Sequence, residues 1–236
     1  VATEDVVYWM GIDNFYVYAG RTQQLPCTVR QKVFGDFNRS EADKVASGIN
    51  SEFSEIFWFY PSASSSENDK YVIYNYGEKV WYFGSLARTA WLDRGTRANP
   101  LAAGNQYIFN HEIGFDDDGS AMTSFIESAA IDIGDGDKFT YIRRVIPDLT
   151  FLGSTNLSSP QAVFTVKSRR FPGASFDNTD AGTAIGSISG EVETFTEQLH
   201  LRSRGRSFAV RVESTALGTK WKLGSPRVDL RADGRQ

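Results

Sequence analysis

Two stretches decide the fold: Ile56-Phe57-Trp58-Phe59-Tyr60 and Tyr71-Val72-Ile73-Tyr74-Asn75-Tyr76-Gly77-Glu78-Lys79-Val80-Trp81-Tyr82-Phe83. Every position of the first is apolar or aromatic. In the second, Gly77-Glu78-Lys79 reads as the turn of a hairpin between two β-rich runs. Tyr71 and Ile73 fall on one face of the leading run; Val72, Tyr74 and Tyr76 fall on the other. A strand with one wet face alternates apolar and polar residues, whereas these runs are apolar on both sides and predict strands covered on both faces. Antiparallel hairpins held between layers are the material of a β-propeller blade, which stacks on two neighbours. A two-layer sandwich core with additional covering loops is the other architecture that fits.

The flanking sequence continues this pattern. Val6-Val7-Tyr8-Trp9-Met10 and Phe15-Tyr16-Val17-Tyr18 enclose Gly11-Ile12-Asp13-Asn14, again strand, turn, strand. Residues 61–70 form a polar, Ser-rich connection. One helix is predicted at Ser40-Glu41-Ala42-Asp43-Lys44-Val45-Ala46, from its Ser N-cap and early acids, with Gly48 as its stop. Residues 25–37 stay open: Pro26 suits a helix start, with Val29, Val33 and Phe37 four apart.

Further along, the alternation changes. Phe164 and Val166 oppose Thr165 and Lys167; Phe208, Val210 and Val212 oppose Ala209 and Arg211; Leu199 and Leu201 oppose His200 and Arg202. The run Phe139-Thr140-Tyr141-Ile142-Arg143-Arg144-Val145-Ile146 also mixes apolar and charged positions. These are half-buried strands of an antiparallel sheet or sandwich, with Gly205 a plausible turn. Residues 173–190, rich in Gly, Ser, Asp, Asn and Thr, predict a long loop. The aromatics mark the same division: residues 1–91 hold 19 of the 32, including four of the five Trp. The expected fold class is therefore all-β with few short helices, residues 1–118 as propeller-type blades and 119–236 as an antiparallel sheet or sandwich.

Composition removes several kinds of chemistry. One Cys among 236 residues excludes a disulfide framework and a Cys-rich zinc site, and two His leave little for a His-based centre. No apolar run approaches the ~18 residues of a membrane helix, so no membrane-spanning segment is expected. The net charge of −4 does not describe a basic nucleic-acid binder. Cys27, beside Pro26, reads as a small core residue, and neither His111 nor His200 adjoins a nucleophile elbow. No phosphate-cradling or dinucleotide glycine motif occurs, and no cofactor is expected.

Charge is segregated. Residues 112–137 carry eight acids and no Lys or Arg; residues 195–236 carry nine basic residues and four acids. Solvated surface is the plain reading. The functional reading takes Asp116, Asp117 and Asp118, with Arg202, Arg204, Arg206 and Arg211, as assembly or channel-facing groups. Arg202, Arg204 and Arg206 share strand parity and line one face unless Gly205 reverses the chain. Asp116-Asp117-Asp118-Gly119 and Asp132-Ile133-Gly134-Asp135-Gly136-Asp137 invite calcium, but neither has EF-hand spacing and Asp-Gly is an ordinary hairpin turn. A glycosidase would need two facing carboxyl groups, for which Glu112 and Asp116 are available. A carbohydrate- or receptor-binding module would need Trp58 or Trp81 turned to solvent.

A set of segments, taken in order, carries a family resemblance. It comprises Tyr8-Trp9-Met10-Gly11-Ile12-Asp13-Asn14-Phe15-Tyr16-Val17-Tyr18, Leu25-Pro26-Cys27-Thr28-Val29 and Asn50-Ser51-Glu52-Phe53-Ser54-Glu55-Ile56-Phe57-Trp58-Phe59-Tyr60-Pro61. Tyr74-Asn75-Tyr76, Trp81-Tyr82-Phe83-Gly84-Ser85, Asn110-His111-Glu112-Ile113-Gly114-Phe115 and Ile146-Pro147-Asp148 follow. Trp221-Lys222-Leu223-Gly224 and Arg231-Ala232-Asp233-Gly234-Arg235 close it. The set resembles the C-terminal part of a bacteriophage short-tail nozzle or tail-hub protein, of the tail tubular protein B-like kind. The resemblance implies a non-enzymatic virion component located in the phage tail. It implies a ring, commonly a hexamer, below the portal and adaptor, with fibres or other tail proteins docked outside. Double-stranded DNA would pass through without sequence-specific binding, and the ring would help retain and release the genome. The family offers no catalytic residues. The start at Val1, without Met, is expected to mark a fragment or processed product, with further blades upstream or in another polypeptide.

Overall fold

The computed structural model describes residues 1–132, 134, 136–156, 161–171, 173, 174, 176 and 186–234. These residues build antiparallel sheets throughout, with two short helices and no closed barrel. No helix among them is long and apolar enough to cross a membrane. The chain divides into two compact units, Val1–Ile113 and Gly114–Gln236.

The first unit opens with β1 (Val7–Met10), β2 (Phe15–Tyr18) and β3 (Thr22–Leu25), an antiparallel meander. Trp9 pairs with Tyr16 in the β1–β2 register, and their rings stack at 5.6 Å. Helix α1 (Arg30–Gly35) follows and buries Val33 and Phe34; a six-residue 3-10 helix spans Arg39–Lys44. A second meander then runs through β4 (Ala46–Asn50), β5 (Glu55–Tyr60), β6 (Lys70–Asn75) and β7 (Val80–Ser85), in that spatial order. A third sheet joins β8 (Ala90–Leu92), β9 (Leu101–Gly104) and β10 (Tyr107–Asn110).

The central meander is covered on both faces, as the apolar runs at 56–60 and 71–76 require. On one face Ile56, Trp58, Tyr60, Val72 and Tyr74 pack with Phe15 of β2, Leu25 of β3 and Val33, Phe34 and Phe37. On the other face Phe57, Phe59 and Ile73 pack with Tyr71, Leu86 and Trp91 of β8. Trp91 stacks on Phe57 at 4.6 Å and donates its indole N–H to the Ile49 carbonyl at 2.8 Å.

The predicted helix over 40–46 is instead the 3-10 helix Arg39–Lys44, and the Trp91 contact accounts for the different role of Gly48. Asn38, not Ser40, is the N-cap, its side chain accepting from the Ser40 amide, and Gly48 lies inside β4 rather than at a helix end. A Cβ on Gly48 would stand 2.3 Å from Cδ1 of Trp91. The glycine is there to admit an indole, a tertiary demand that local signals do not carry. In 25–37, Pro26 does not start a helix: Leu25 ends β3 and α1 begins at Arg30, after Val29, whose side chain supplies no capping hydrogen bond.

The second unit contains β11 (Asp116–Asp117), β12 (Ser120–Ala121), β13 (Ser124–Glu127), β14 (Ile131–Asp132), β15 (Thr140–Ile146), β16 (Leu149–Thr150), β17 (Ala162–Arg169), β18 (Ser187–Val192), β19 (Ser203–Gly205), β20 (Ser207–Ser214), β21 (Lys222–Leu223) and β22 (Arg227–Ala232). The larger sheet runs β13-β20-β17-β18, with β14 also pairing with β20; a smaller one runs β19-β15-β22. Burial alternates along the whole of β17. Phe164, Val166, Phe208 and Val212 of the larger sheet and Ile142 and Val145 of β15 share one core. The expected faces of β17 are the observed ones. On β20 Ala209, expected to face water, is buried; β15 carries a register shift between Ile142 and Arg144; and Leu199 makes only an isolated bridge to Val145 ahead of β19.

Gly205 is not a turn. It pairs with Thr140 inside β19, and the chain passes through Arg206 straight into β20, leaving one sheet for the other. A Cβ on Gly205 would meet the Arg169 carbonyl oxygen at 2.9 Å, while the Arg206 amide donates to that oxygen, also at 2.9 Å. Strands that switch sheets do so at such bends. Most of 173–190, expected as a loop, lies outside the described residues; its end forms β18.

Candidate functional site

The end of the central meander in the first unit gathers polar groups on its Phe57 face. Asn50 of β4 lies opposite Glu55 of β5, and Glu55 lies opposite Asn75 of β6. Cross-strand partners project from the same face, so the three side chains form a row. Asn75 is satisfied: Nδ2 donates to the Phe53 carbonyl at 3.0 Å, and Oδ1 accepts from the Glu78 amide at 2.8 Å. Asn50 is not. It is fully buried, its Nδ2 donates to Oε1 of Glu112 at 3.1 Å, and its Oδ1 has no partner among the described residues.

Glu112 follows β10 and is held at a φ of +59°, a conformation uncommon for a residue with a Cβ. It stands exposed at the rim. Partial enclosure of its carboxyl, then the charge of Glu52, raise its pKa, opposed by the Asn50 hydrogen bond. Glu55, deeper in, is pushed up to about 7, first by burial and then by the charge of Glu112. Burial and the Glu55 charge also raise the Tyr71 and Tyr82 hydroxyls. Glu52 itself pairs with Arg94 at 3.0 Å. His111 packs its ring 4.9 Å from Trp91 and accepts at Nε2 from Nε of Arg88 at 3.0 Å. The corner thus holds two carboxyl groups of raised pKa beside a buried asparagine whose amide oxygen has no partner among the described residues.

The sequence-predicted acids lie elsewhere. Asp116 accepts from the Gly218 amide at 2.6 Å. Asp116 and Asp117 pair with Ala121 and Ser120, and Asp118 and Gly119, at φ of +47° and +82°, make the two-residue turn. That is the ordinary Asp-Gly hairpin. Asp135 lies outside the described residues. Among the described residues no three His, Cys, Asp or Glu side chains gather as a metal-holding group.

Arg202, Arg204 and Arg206 alternate with buried Leu201, Ser203, Gly205 and Ser207, so they share a face. The Arg204 and Arg206 guanidinium groups lie over the Phe139 ring at 4.1 and 4.7 Å, and Arg204 is ion-paired with Asp233. Arg211 belongs to another group on β20. It bonds Glu127 at 3.0 Å and Glu213 at 2.9 Å, and lies over Phe125 at 3.9 Å. Partial burial works against ionisation of Glu127, but hydrogen bonds from Arg211 and Lys167 outweigh it and hold the carboxyl below its usual range.

Cys27 packs against the core of the first unit. Burial raises its thiol to about 11, against the opposing effects of the Val29 backbone and Arg30. Trp58 is 1 % exposed. Trp81 is half-buried against Phe15 at 4.7 Å and donates its indole N–H to the Pro26 carbonyl at 3.0 Å. Neither indole offers the open ring face that sugar stacking requires. The chain matches no protein-family model, and no curated protein is significantly similar to it.

Glu112 was legible as a candidate acid, but its neighbours Asn50 and Glu55 were not. The available signal was local: Asn50 and Glu55 bracket the Ser51-Glu52-Phe53-Ser54 turn, and a hairpin there sets them face to face.

Proposed function

We propose that the chain is a structural component of a bacteriophage short tail, part of a nozzle or hub ring around the DNA channel. The observation that carries this reading is the succession of three antiparallel meanders in the first unit, the first packed on one face of the aromatic β4–β7 sheet and the third contributing Trp91 to the other. Consecutive meanders stacked in chain order are how propeller blades are laid down. The first unit supplies such blades, and the second supplies a two-layer antiparallel sandwich. The ordered segments that resemble the tail nozzle proteins run through both units.

In this reading copies of the chain close into a ring, a hexamer, beneath the portal and adaptor, with fibres or other tail proteins outside. A channel for DNA works best if it does not grip, because each Lys or Arg bound to phosphate adds salt-dependent affinity. The tying of Arg204 to Asp233, and of Arg211 to Glu127 and Glu213, is in keeping with that. The burial of Trp58 weighs against a carbohydrate-binding module. Immunogold labelling of purified particles tests the assignment: gold at the tail is expected, and unlabelled tails would reject it.

A further inference from the structure

We propose that the corner formed by Asn50, Glu55 and Glu112 binds a divalent cation of the calcium class. The balance of donors and acceptors points there. Asn50 lies opposite Glu55 on the same face of the β4–β5 pair and donates through Nδ2 to Glu112, so two carboxyl groups flank its side chain, one as cross-strand neighbour and one as hydrogen-bond acceptor. Its Oδ1, in a fully buried side chain, is left without a donor. Turning the amide over gives no relief: Oδ1 would then oppose a carboxylate oxygen of Glu112, and Nδ2 would face the place Oδ1 left. With both carboxyl groups ionised, acceptors outnumber donors in either orientation, and a buried acceptor without a partner is costly. Among the described residues, no Lys or Arg forms an ion pair with Glu55 or Glu112.

The missing partner is a positive charge that accepts hard oxygen ligands. Ca²⁺ takes carboxylate, amide and water oxygens in irregular geometry, while Mg²⁺ demands a near-ideal octahedron. Asn50 and Glu55 form the floor, and exposed Glu112 leaves a side open for entry and for coordinated water. Two carboxylates rather than three or four place the affinity on the order of 10⁻⁴–10⁻³ M. This site is separate from the Asp-rich turns and does not depend on the tail assignment.

Calcium titration of the full chain, stripped of metal and held at constant ionic strength, tests the proposal. Calorimetry should report one Ca²⁺ per chain at this corner, and Tm should rise with added Ca²⁺. Glu55→Gln keeps the side-chain shape and removes a charged ligand, so it should weaken binding by about ten-fold or more. Its Tm without calcium should equal or exceed that of the parent. Terbium provides a second readout in the unaltered protein. Trp91, bonded to the Ile49 carbonyl beside Asn50, should sensitise Tb³⁺ luminescence that Ca²⁺ displaces. Absence of both heat and a Tm shift up to ~10 mM Ca²⁺, an undiminished response in Glu55→Gln, or no calcium-displaceable Tb³⁺ signal would overturn it.

Discussion

Gly48 and Trp91 show how a single residue pair shapes the first unit. The indole lies where a Cβ on residue 48 would have to go, and its ring completes the second face of the β4–β7 sheet. Gly48→Ala should therefore destabilise the chain by about 1–3 kcal/mol through overpacking, read as a lower urea midpoint with an unchanged m-value. Cys27 illustrates the opposite case, a reactive group made inert by its surroundings. With the thiol raised to about 11, disulfide reagents should modify native Cys27 roughly 10- to 100-fold more slowly than the unfolded chain at the same pH. Equal rates in the two states would mean that the thiol is not desolvated. Gly48 also marks a limit of residue-level reading. In isolation it looks like a helix stop; only the position of Trp91, 43 residues later in the sequence, gives it another meaning.

At the scale of elements, β17 is a strand whose two faces should respond differently. Phe164 is fully buried and Thr165 faces outward with a hydroxyl near Ser189. Phe164→Ala should cost about 3–5 kcal/mol, whereas Thr165→Ala should stay near ~0.5 kcal/mol, both from urea unfolding. The outer face of the same sheet predicts an acid limb. Glu127 is held below its ordinary value of 4.5 by Arg211 and Lys167, so the folded chain binds that proton less tightly than the unfolded chain. The stabilisation is present above 4.5 and is lost as pH falls through the lower folded value. The Tm advantage of the parent over Glu127→Gln should therefore shrink as pH is lowered below this value.

Elements also show what made the fold legible. Strands β5, β6 and β17 were readable because burial imposes periodicity directly on sequence: apolar on both faces where two layers press, alternating where one face meets water. The passage from β19 to β20 was not, since Gly205 bears the same local signature whether the chain turns back or crosses to a second sheet. The carboxyl corner was half legible. A hairpin brings Asn50 to Glu55 within a few residues, but Glu112 arrives from the exit of β10, 62 residues beyond Asn50, and no local pattern joins them.

For the whole molecule, the two units differ in how they exclude water. The first covers an aromatic sheet with a meander and a helix on one face and with Trp91 of a third meander on the other; the second closes two sheets over one aliphatic and aromatic core. Stacked meanders can extend sideways by adding further sheets, which suits a ring of copies, whereas a closed two-layer core is complete in itself. We propose that this chain forms part of a ring at the tail of a phage particle. Cryo-electron microscopy of intact particles tests it most directly. The account predicts density for the β4–β7 sheet repeated around the tail axis, with a DNA-wide channel at the centre. A tail reconstruction of sufficient resolution to trace every chain, and without this one, would contradict it.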